Sequence, residues 1–387
     1  MQVDELIDRK ELTALLADLV SIRSVNTSLD PDGSEKEISE FIQDYLSSYS
    51  ILFETQEVWP DRPNVIATIP GRTDRNLLFE SHMDTVPLEG MEIEPLNPRI
   101  ENGLMYGRGS CDTKAGLAAM LYALKTLKTQ DLIPPASVTL AATVDEEFSF
   151  RGVSHLVESG FRAHAAVVSE PTELDVIIAH KGCLRWKIVT RGRAAHSSKV
   201  HLGVNAISHM ARVIEAIEDA LDSRYQSRTH PLLGNPTVNV GTIEGGVQVN
   251  TVPDFCVIGL DRRTLPGETR ESVWKEFEEV IETVGSRFPN LKAEMQEPFL
   301  EDFPLETPED EAIVQIARQY CEKVTGRGAI RGVPYGTDAS KLSRAGIPSI
   351  VLGPGCIDQA HSAVEFVSLE QVAQAAQIYL HIMLAYQ

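Results

Sequence analysis

No apolar run in this chain of 387 residues approaches the roughly 18 needed to cross a bilayer, so a membrane protein is not expected. The first residues, Met1-Gln2-Val3-Asp4-Glu5-Leu6, carry neither the basic nor the apolar stretch of an export signal, and an unexported, cytoplasmic protein is expected. Cysteine is scarce. Cys111, Cys183, Cys256, Cys321 and Cys356 are odd in number and show no Cys-x-x-Cys spacing, which argues against a disulfide framework and fits a reducing compartment. Positive charge is in deficit, with 35 basic against 56 acidic residues and a formal charge of −21. A surface that negative repels phosphates and anionic lipid, so neither nucleic acid nor a membrane is an expected partner. Internal repeats, low-complexity tracts and long linkers are also missing. What is present is an ordinary globular mix, 43% hydrophobic and 24% charged, which excludes disorder and coiled coil as accounts of most of the chain. At about 100 to 200 residues per domain, the length predicts two or three domains.

Short β-branched runs alternate with helical patterns at both ends of the chain, the signature of βαβ units around a largely parallel sheet. The periodicity predicts helices at Glu11 to Ser21, Glu35 to Ser48, Lys114 to Leu127 and Glu370 to Leu384. Strands are predicted at Asn64 to Ile69, Asn76 to Glu80, Ser137 to Val144, Ala165 to Ser169 and Ser349 to Leu352. Between about Lys181 and Pro298 the pattern changes. It becomes strand Leu184 to Thr190, helix Asn205 to Leu221, strands Val238 to Ile243 and Phe255 to Asp261, helix Glu271 to Val284 and strand Lys292 to Gln296. That is a self-contained βαββαβ, ferredoxin-like unit. The expected organisation is an α/β domain of residues 1–181 and 299–387, with a mixed, largely parallel sheet flanked by helices, and an inserted lid domain of residues 182–298.

Acidic and imidazole side chains fall just past the predicted strands: His82 and Asp84 after the Asn76 strand, Glu146 and Glu147 after the Ser137 strand, Glu170 after the Ala165 strand. In parallel α/β sheets, ligands bind in the crevice at the carboxyl ends of strands, so these groups should converge. Carboxylates brought together need a cation. Asp112 stands on a glycine-rich turn, Gly107-Arg108-Gly109-Ser110-Cys111-Asp112, before an alanine-rich helix. It reads as a helix cap or as a carboxylate whose two oxygens bridge two metals.

Five segments, in order and spacing, resemble one family: Ser81-His82-Met83-Asp84-Thr85-Val86-Pro87, Gly107 to Gly116, Val144-Asp145-Glu146-Glu147, Ser169-Glu170-Pro171-Thr172, and Gly353-Pro354-Gly355 with Ala360-His361. It is that of the di-zinc amidohydrolases, which include acetylornithine deacetylase, succinyl-diaminopimelate desuccinylase, aminoacylase and glutamate carboxypeptidase. The likeness runs over nearly the whole chain and implies a zinc-peptidase-like catalytic domain. It implies that Asp112 bridges two zinc ions, with His82 and Glu170 at one and Glu147 and His361 at the other. Asp84 would accept the other N–H of the His82 ring. Glu146 would act as general base toward a metal-bridging water. Two histidines and three carboxylates suit zinc, with cobalt or manganese also compatible. Cys111, beside Asp112, matches no metal contact of the family. A cis peptide between Asp112 and Thr113 is also implied.

In the inserted domain, Gly192-Arg193-Ala194-Ala195-His196-Ser197-Ser198 resembles the family's lid motif, whose histidine reaches the active site of the other subunit of a homodimer. Asn250 and Arg263 match positions that hold the substrate's carbonyl or carboxylate. Arg262 competes with Arg263, and strand alternation lets only one face the site. Tyr335-Gly336-Thr337-Asp338 matches a substrate-side loop, though a turn with a helix cap at Asp338 explains it nearly as well. After His361 the family's usual Asp or Asn is missing, and Ser362-Ala363-Val364-Glu365 keeps the Glu alone. The activity implied is hydrolysis of the amide of an N-acyl-amino acid. A dipeptidase or metallocarboxypeptidase shares that chemistry, and an inactive homologue that binds amino acid derivatives is the third alternative.

Overall fold

The computed structural model describes residues 3–288 and 290–387. In chain order its principal elements are helices α1 (Arg9–Ser21) and α2 (Lys36–Ser48), strands β1 (Phe53–Trp59), β2 (Arg62–Ile69) and β3 (Asn76–His82), and helix α3 (Lys114–Thr129). Strands β4 (Ser137–Thr143), β5 (Ala165–Val168), β6 (Val176–His180) and β7 (Gly182–Arg191) follow, then helix α4 (Ala206–Tyr225). Next come β8 (Thr237–Gly245), β9 (Phe255–Thr264), α5 (Arg270–Arg287), β10 (Lys292–Met295), α6 (Ala312–Thr325), β11 (Ser349–Val351) and α7 (Leu369–Ala385). Two compact units emerge. One comprises Met1–Ile178, Glu306–Arg331 and Thr337–Gln387; the other comprises Ala179–Leu305 and Gly332–Gly336. The short return of Gly332–Gly336 to the second unit has no counterpart in the sequence pattern.

In the first unit the sheet runs β1-β2-β4-β3-β5-β11-β6. Its centre, β4-β3-β5-β11, is parallel, and β1, β2 and β6 join it antiparallel. The parallel strands are buried along nearly their whole length, with apolar stretches (Leu77, Leu78 and Phe79; Ala165 to Val168; Ile350 and Val351), because both faces are covered. Strand β1 escapes the sequence pattern because it is an edge strand with its residues half-buried or exposed. Helix α3 is buried from Lys114 to Leu124 around nearly its whole circumference, which its run of Ala, Gly, Leu and Met allows. It packs between α1 and α7, and α7 in turn packs on α6. Asp8 starts α1 by accepting the backbone N–H groups of Lys10 and Glu11.

The second unit is an antiparallel sheet ordered β8-β9-β7-β10, joined by α4 and α5. Along β9, Cys256, Ile258, Leu260 and Arg262 are buried while the intervening residues are not. The period of two therefore marks one helix-covered face and one open face. Trp186 of β7 anchors this core, with its ring edge-on to Phe277 of α5 at 4.7 Å between centroids.

Candidate metal centre

Strand register brings the carboxyl ends of the parallel strands level. His82, the last residue of β3, lies opposite Thr143 of β4; Glu80 lies opposite Val168 of β5, and Val168 opposite Val351 of β11. The loops that leave these strands carry Asp84, then Glu146 and Glu147, then Glu170, then the segment that ends at His361. Asp112 arrives from the turn before α3, where Gly109 adopts φ +79°, a conformation suited to glycine. The Asp112–Thr113 peptide is cis. Asp145 and His361 also take left-handed φ values of +66° and +58°, which reverse the chain beside the site.

Five side chains converge in two groups that share Asp112. His82, Asp112 and Glu170 form one, and Asp112, Glu147 and His361 the other, with the donor atoms of each group within 4.8 Å of one another. His82 Nε2 lies 3.2 Å from Asp112 Oδ1 and 3.7 Å from Glu170 Oε1. On the other side, His361 Nε2 lies 3.4 Å from Asp112 Oδ2 and 3.0 Å from Glu147 Oε2. Each oxygen of Asp112 thus faces a different group. The His361 side chain remains 57% exposed, and the cluster is open to solvent on that side.

Burial pushes the carboxyl groups of Glu146 and Glu170 well up, helped by neighbouring carboxylates. For Glu147, burial and Asp112 give about 7. Burial also acts to raise Asp112, but hydrogen bonds from His361 and His82 outweigh it and hold that group below the usual range. The His361 imidazole, bonded to Asp112 and Glu147, is raised to about 10. This concentration of buried negative charge around two imidazoles is what a cation would neutralise.

Asp84 does more than the part expected of it. His82 Nδ1 is 2.9 Å from the backbone carbonyl oxygen of Asp84 and 3.5 Å from its carboxylate, so the carbonyl is the nearer acceptor. The carboxylate also accepts the backbone N–H groups of Glu146 and Glu147, both at 3.1 Å, and the Asn26 amide at 2.7 Å. Glu365 accepts from the backbone of Cys111 and Asp112 and from Arg108, which pins the Asp112 turn. Cys111 donates its thiol to the Cys356 carbonyl at 3.4 Å, and burial drives its pKa well up, so it is a packed thiol.

Asp338 makes no cap hydrogen bond to the helix it precedes. Its carboxylate is buried beside Glu80 and lies 3.4 Å from the Thr143 hydroxyl, so a cap does not account for it. Sequence reasoning missed Glu80, Asn26, Arg62 and Asp145. Glu80 alone left a signal, an acid two residues before His82 on the same face of an apolar strand.

The remaining expected residues lie in the second unit. Ala195–His196 pairs with Thr251–Val252, and Ser197 N–H donates to the Asn250 carbonyl at 2.9 Å, so His196 and Asn250 are neighbours, both exposed. Arg262 is fully buried, donating to the Tyr225 hydroxyl and to Glu268, both at 2.7 Å, and is thereby a structural residue. Arg263 lies on the open face of the sheet and donates to Asp261 at 2.9 Å.

The sequence pattern of peptidase family M20/M25/M40 matches residues 78–385. The chain belongs to this family. It is 31% identical to the acetylornithine deacetylase of Vibrio cholerae over 372 residues, 95% of each chain. Its fold is similar to that of aminopeptidase PepT from Bacillus cereus, with a TM-score of 0.79, 24% identity and 98% of each chain covered. It is also similar to that of a Bacillus subtilis protein described as a dinuclear metal-binding peptidase from the M20 family, with a TM-score of 0.74, 17% identity and 97% of each chain covered. This M20/M25/M40 member is a metal-dependent amidohydrolase.

Its donor set fits metal ions. The clustered atoms are imidazole nitrogen and carboxylate oxygen without sulfur, and Glu147 Oε1 is buried with no hydrogen-bond partner among the described residues, as expected of an atom reserved for a cation. No helix among the described residues is long and apolar enough to cross a membrane.

Proposed function

We propose that the protein is a cytoplasmic N-acyl-amino-acid deacylase that works with two zinc ions as a homodimer. The observation that carries the reading is the division of the Asp112 carboxylate between two donor groups. His82, Glu170 and Asp112 would hold one ion, and Glu147, His361 and Asp112 the other. When bound, the ions supply Lewis acidity toward the amide carbonyl and lower the pKa of the attacking water. Glu146, raised by burial and left outside both donor groups, takes the water's proton and passes it to the nitrogen of the departing amine.

Arg263 is our candidate for the substrate carboxylate, because its guanidinium forms a planar fork on an open sheet face, with Asn250 for the carbonyl. Exposed Val200, Ile207, Val247 and Val249 line one hollow of the second unit with Ser197 and Thr251, next in sequence to His196 and Asn250, which supports self-association there. In such a dimer, His196 of the partner subunit would stabilise the oxyanion. The five free cysteines agree with a reducing cytoplasm.

A panel of N-acetyl-amino acids, N-succinyl-amino acids and dipeptides, assayed with zinc-reconstituted enzyme, tests the reading, and acetylornithine comes first because of the Vibrio cholerae relative. Turnover of acetylated or succinylated amino acids above dipeptides is expected; preference for dipeptides would replace deacylase by dipeptidase. Glu146→Gln should keep the parent's metal content and lose about 10² to 10⁴ in turnover. Loss of metal would make Glu146 a ligand instead.

A further inference from the structure

Asn26, in the loop after α1, has a side chain that meets two of the site's loops at once. Its Nδ2 donates to Asp84 Oδ2 at 2.7 Å and to Asp145 Oδ1 at 3.0 Å. The amide is fully buried, and its orientation is determined on both sides: Oδ1 accepts the Ser28 backbone N–H at 2.9 Å, which leaves the nitrogen for the two carboxylates. The backbone is held too. Asn26 N–H donates to the Thr85 carbonyl and Thr85 N–H to the Ser24 carbonyl, so this loop runs as a short parallel ladder beside residue 85.

The two acceptors belong to different loops. Asp84 follows β3 and the ligand candidate His82; Asp145 follows β4 and immediately precedes Glu146 and Glu147. Asp84 holds the second loop as well, since its two oxygens accept the N–H groups of Glu146 and Glu147. Asp145 Oδ1 accepts from Arg62 Nη2 as well, also at 3.0 Å, while its other oxygen accepts the Ser149 hydroxyl. Without Asn26, the buried carboxylates of Asp84 and Asp145 would face each other without the donor that joins them. An amide supplies both N–H groups without adding a second positive charge to that of Arg62.

We propose that Asn26 is a positioning residue for the general base: its amide locks the Glu146–Glu147 loop to the His82–Asp84 loop and so sets where the Glu146 carboxylate stands. The inference rests on Glu146 being the base, as proposed above. It assigns Asn26 no contact with substrate and no share in metal ligation.

The test uses the full-length protein with Asn26→Ala, which removes both donors, and Asn26→Asp, which keeps the shape and the acceptor but puts a third carboxylate between the other two. In metal-free protein, hydrogen–deuterium exchange read by mass spectrometry should show faster uptake in peptides covering residues 144–150, with parent-like uptake in the second unit. With saturating zinc, metal content should match the parent while kcat falls about 10- to 100-fold and KM changes by less than about threefold, the Asp variant falling further. Should Asn26→Ala fail to fold, Asn26→Ser, whose hydroxyl proton can serve one carboxylate at a time, is read in the same way. Parent-like uptake over 144–150, or a KM increase with kcat unchanged, would overturn the proposal. A parent enzyme that hydrolyses no amide would instead sink the proposed function, and the exchange measurement alone would then decide whether the lock exists.

Discussion

At the scale of single residues, the site is a concentration of acids that the protein tolerates because they stand ready for cations. Glu147 at about 7, Asp338 at about 6 and Glu35 at about 7 are all raised, with burial the largest cause in each. A carboxyl raised on folding binds its proton more tightly in the native state, so its stabilising effect is complete below the unfolded value and is lost as pH rises through the folded one. The His361 imidazole, raised to about 10 by Asp112 and Glu147, acts with the same sign over a higher range. Asp84 and Asp112, depressed, matter below about pH 4. Chelator-stripped protein should therefore melt at a lower temperature at about pH 8 than at about pH 5.5. Added zinc should raise the melting temperature more at the higher pH, because its ligands must be deprotonated. Calorimetry across that range decides, and a stripped protein that grows more stable toward pH 8 would contradict the pairing of these shifts with the metal site.

At the scale of elements, α3 must approach the Ser169–Glu170 loop closely enough to bring Asp112 and Glu170 together. Gly116 makes that approach possible. A Cβ there would lie 1.5 Å from Ser169 Oγ and 2.7 Å from Ser169 Cβ. Rotating the hydroxyl relieves the first clash but not the second, so Gly116→Ala should force helix and loop apart. We expect a loss of about 1 to 3 kcal/mol in denaturant unfolding, as for overpacked cores, together with weaker zinc retention on dialysis. Gly116→Ala with parent stability and metal content would show that the loop yields freely. Elements were legible in the sequence where burial left a pattern: α4 and β9 form where one-sided burial puts them, and α3 where a long alanine-rich apolar run does. Strand β1 was not, because an edge strand needs no apolar alternation.

At the scale of the whole molecule, the proposed dimer makes a prediction that no single chain can satisfy. If His196 serves the other subunit, mixing inactive Glu146→Gln with inactive His196→Ala protein should restore activity, since each mixed dimer holds one site with both groups intact. Random reassortment in a twofold dimer puts about half the molecules in mixed pairs, so recovery should approach about a quarter of the parent rate. Native mass spectrometry checks that subunits exchange. No recovery after confirmed exchange would place His196 in the service of its own chain.

What the sequence by itself determined is where the clustered donors stand along the chain: His82, Asp112, Glu147, Glu170 and His361 follow strand ends or a glycine-rich turn, local features that short motifs encode. What tertiary structure alone decided is how those residues are held. Nothing local in sequence ties Asn26 to Asp145, 119 positions away, or Arg62 to the same carboxylate, 83 away. Even Asp84, whose place beside His82 the motif makes plain, also cradles the backbone of Glu146 and Glu147 with its carboxylate and puts its carbonyl nearest the His82 ring. The choice between Arg262 and Arg263 was likewise a matter of packing, since alternation says that the two differ but only Tyr225 and Glu268 say which is buried. Hydrogen-bond partners of a buried carboxylate are set by which chain segments meet around it, and that meeting is a property of the folded core.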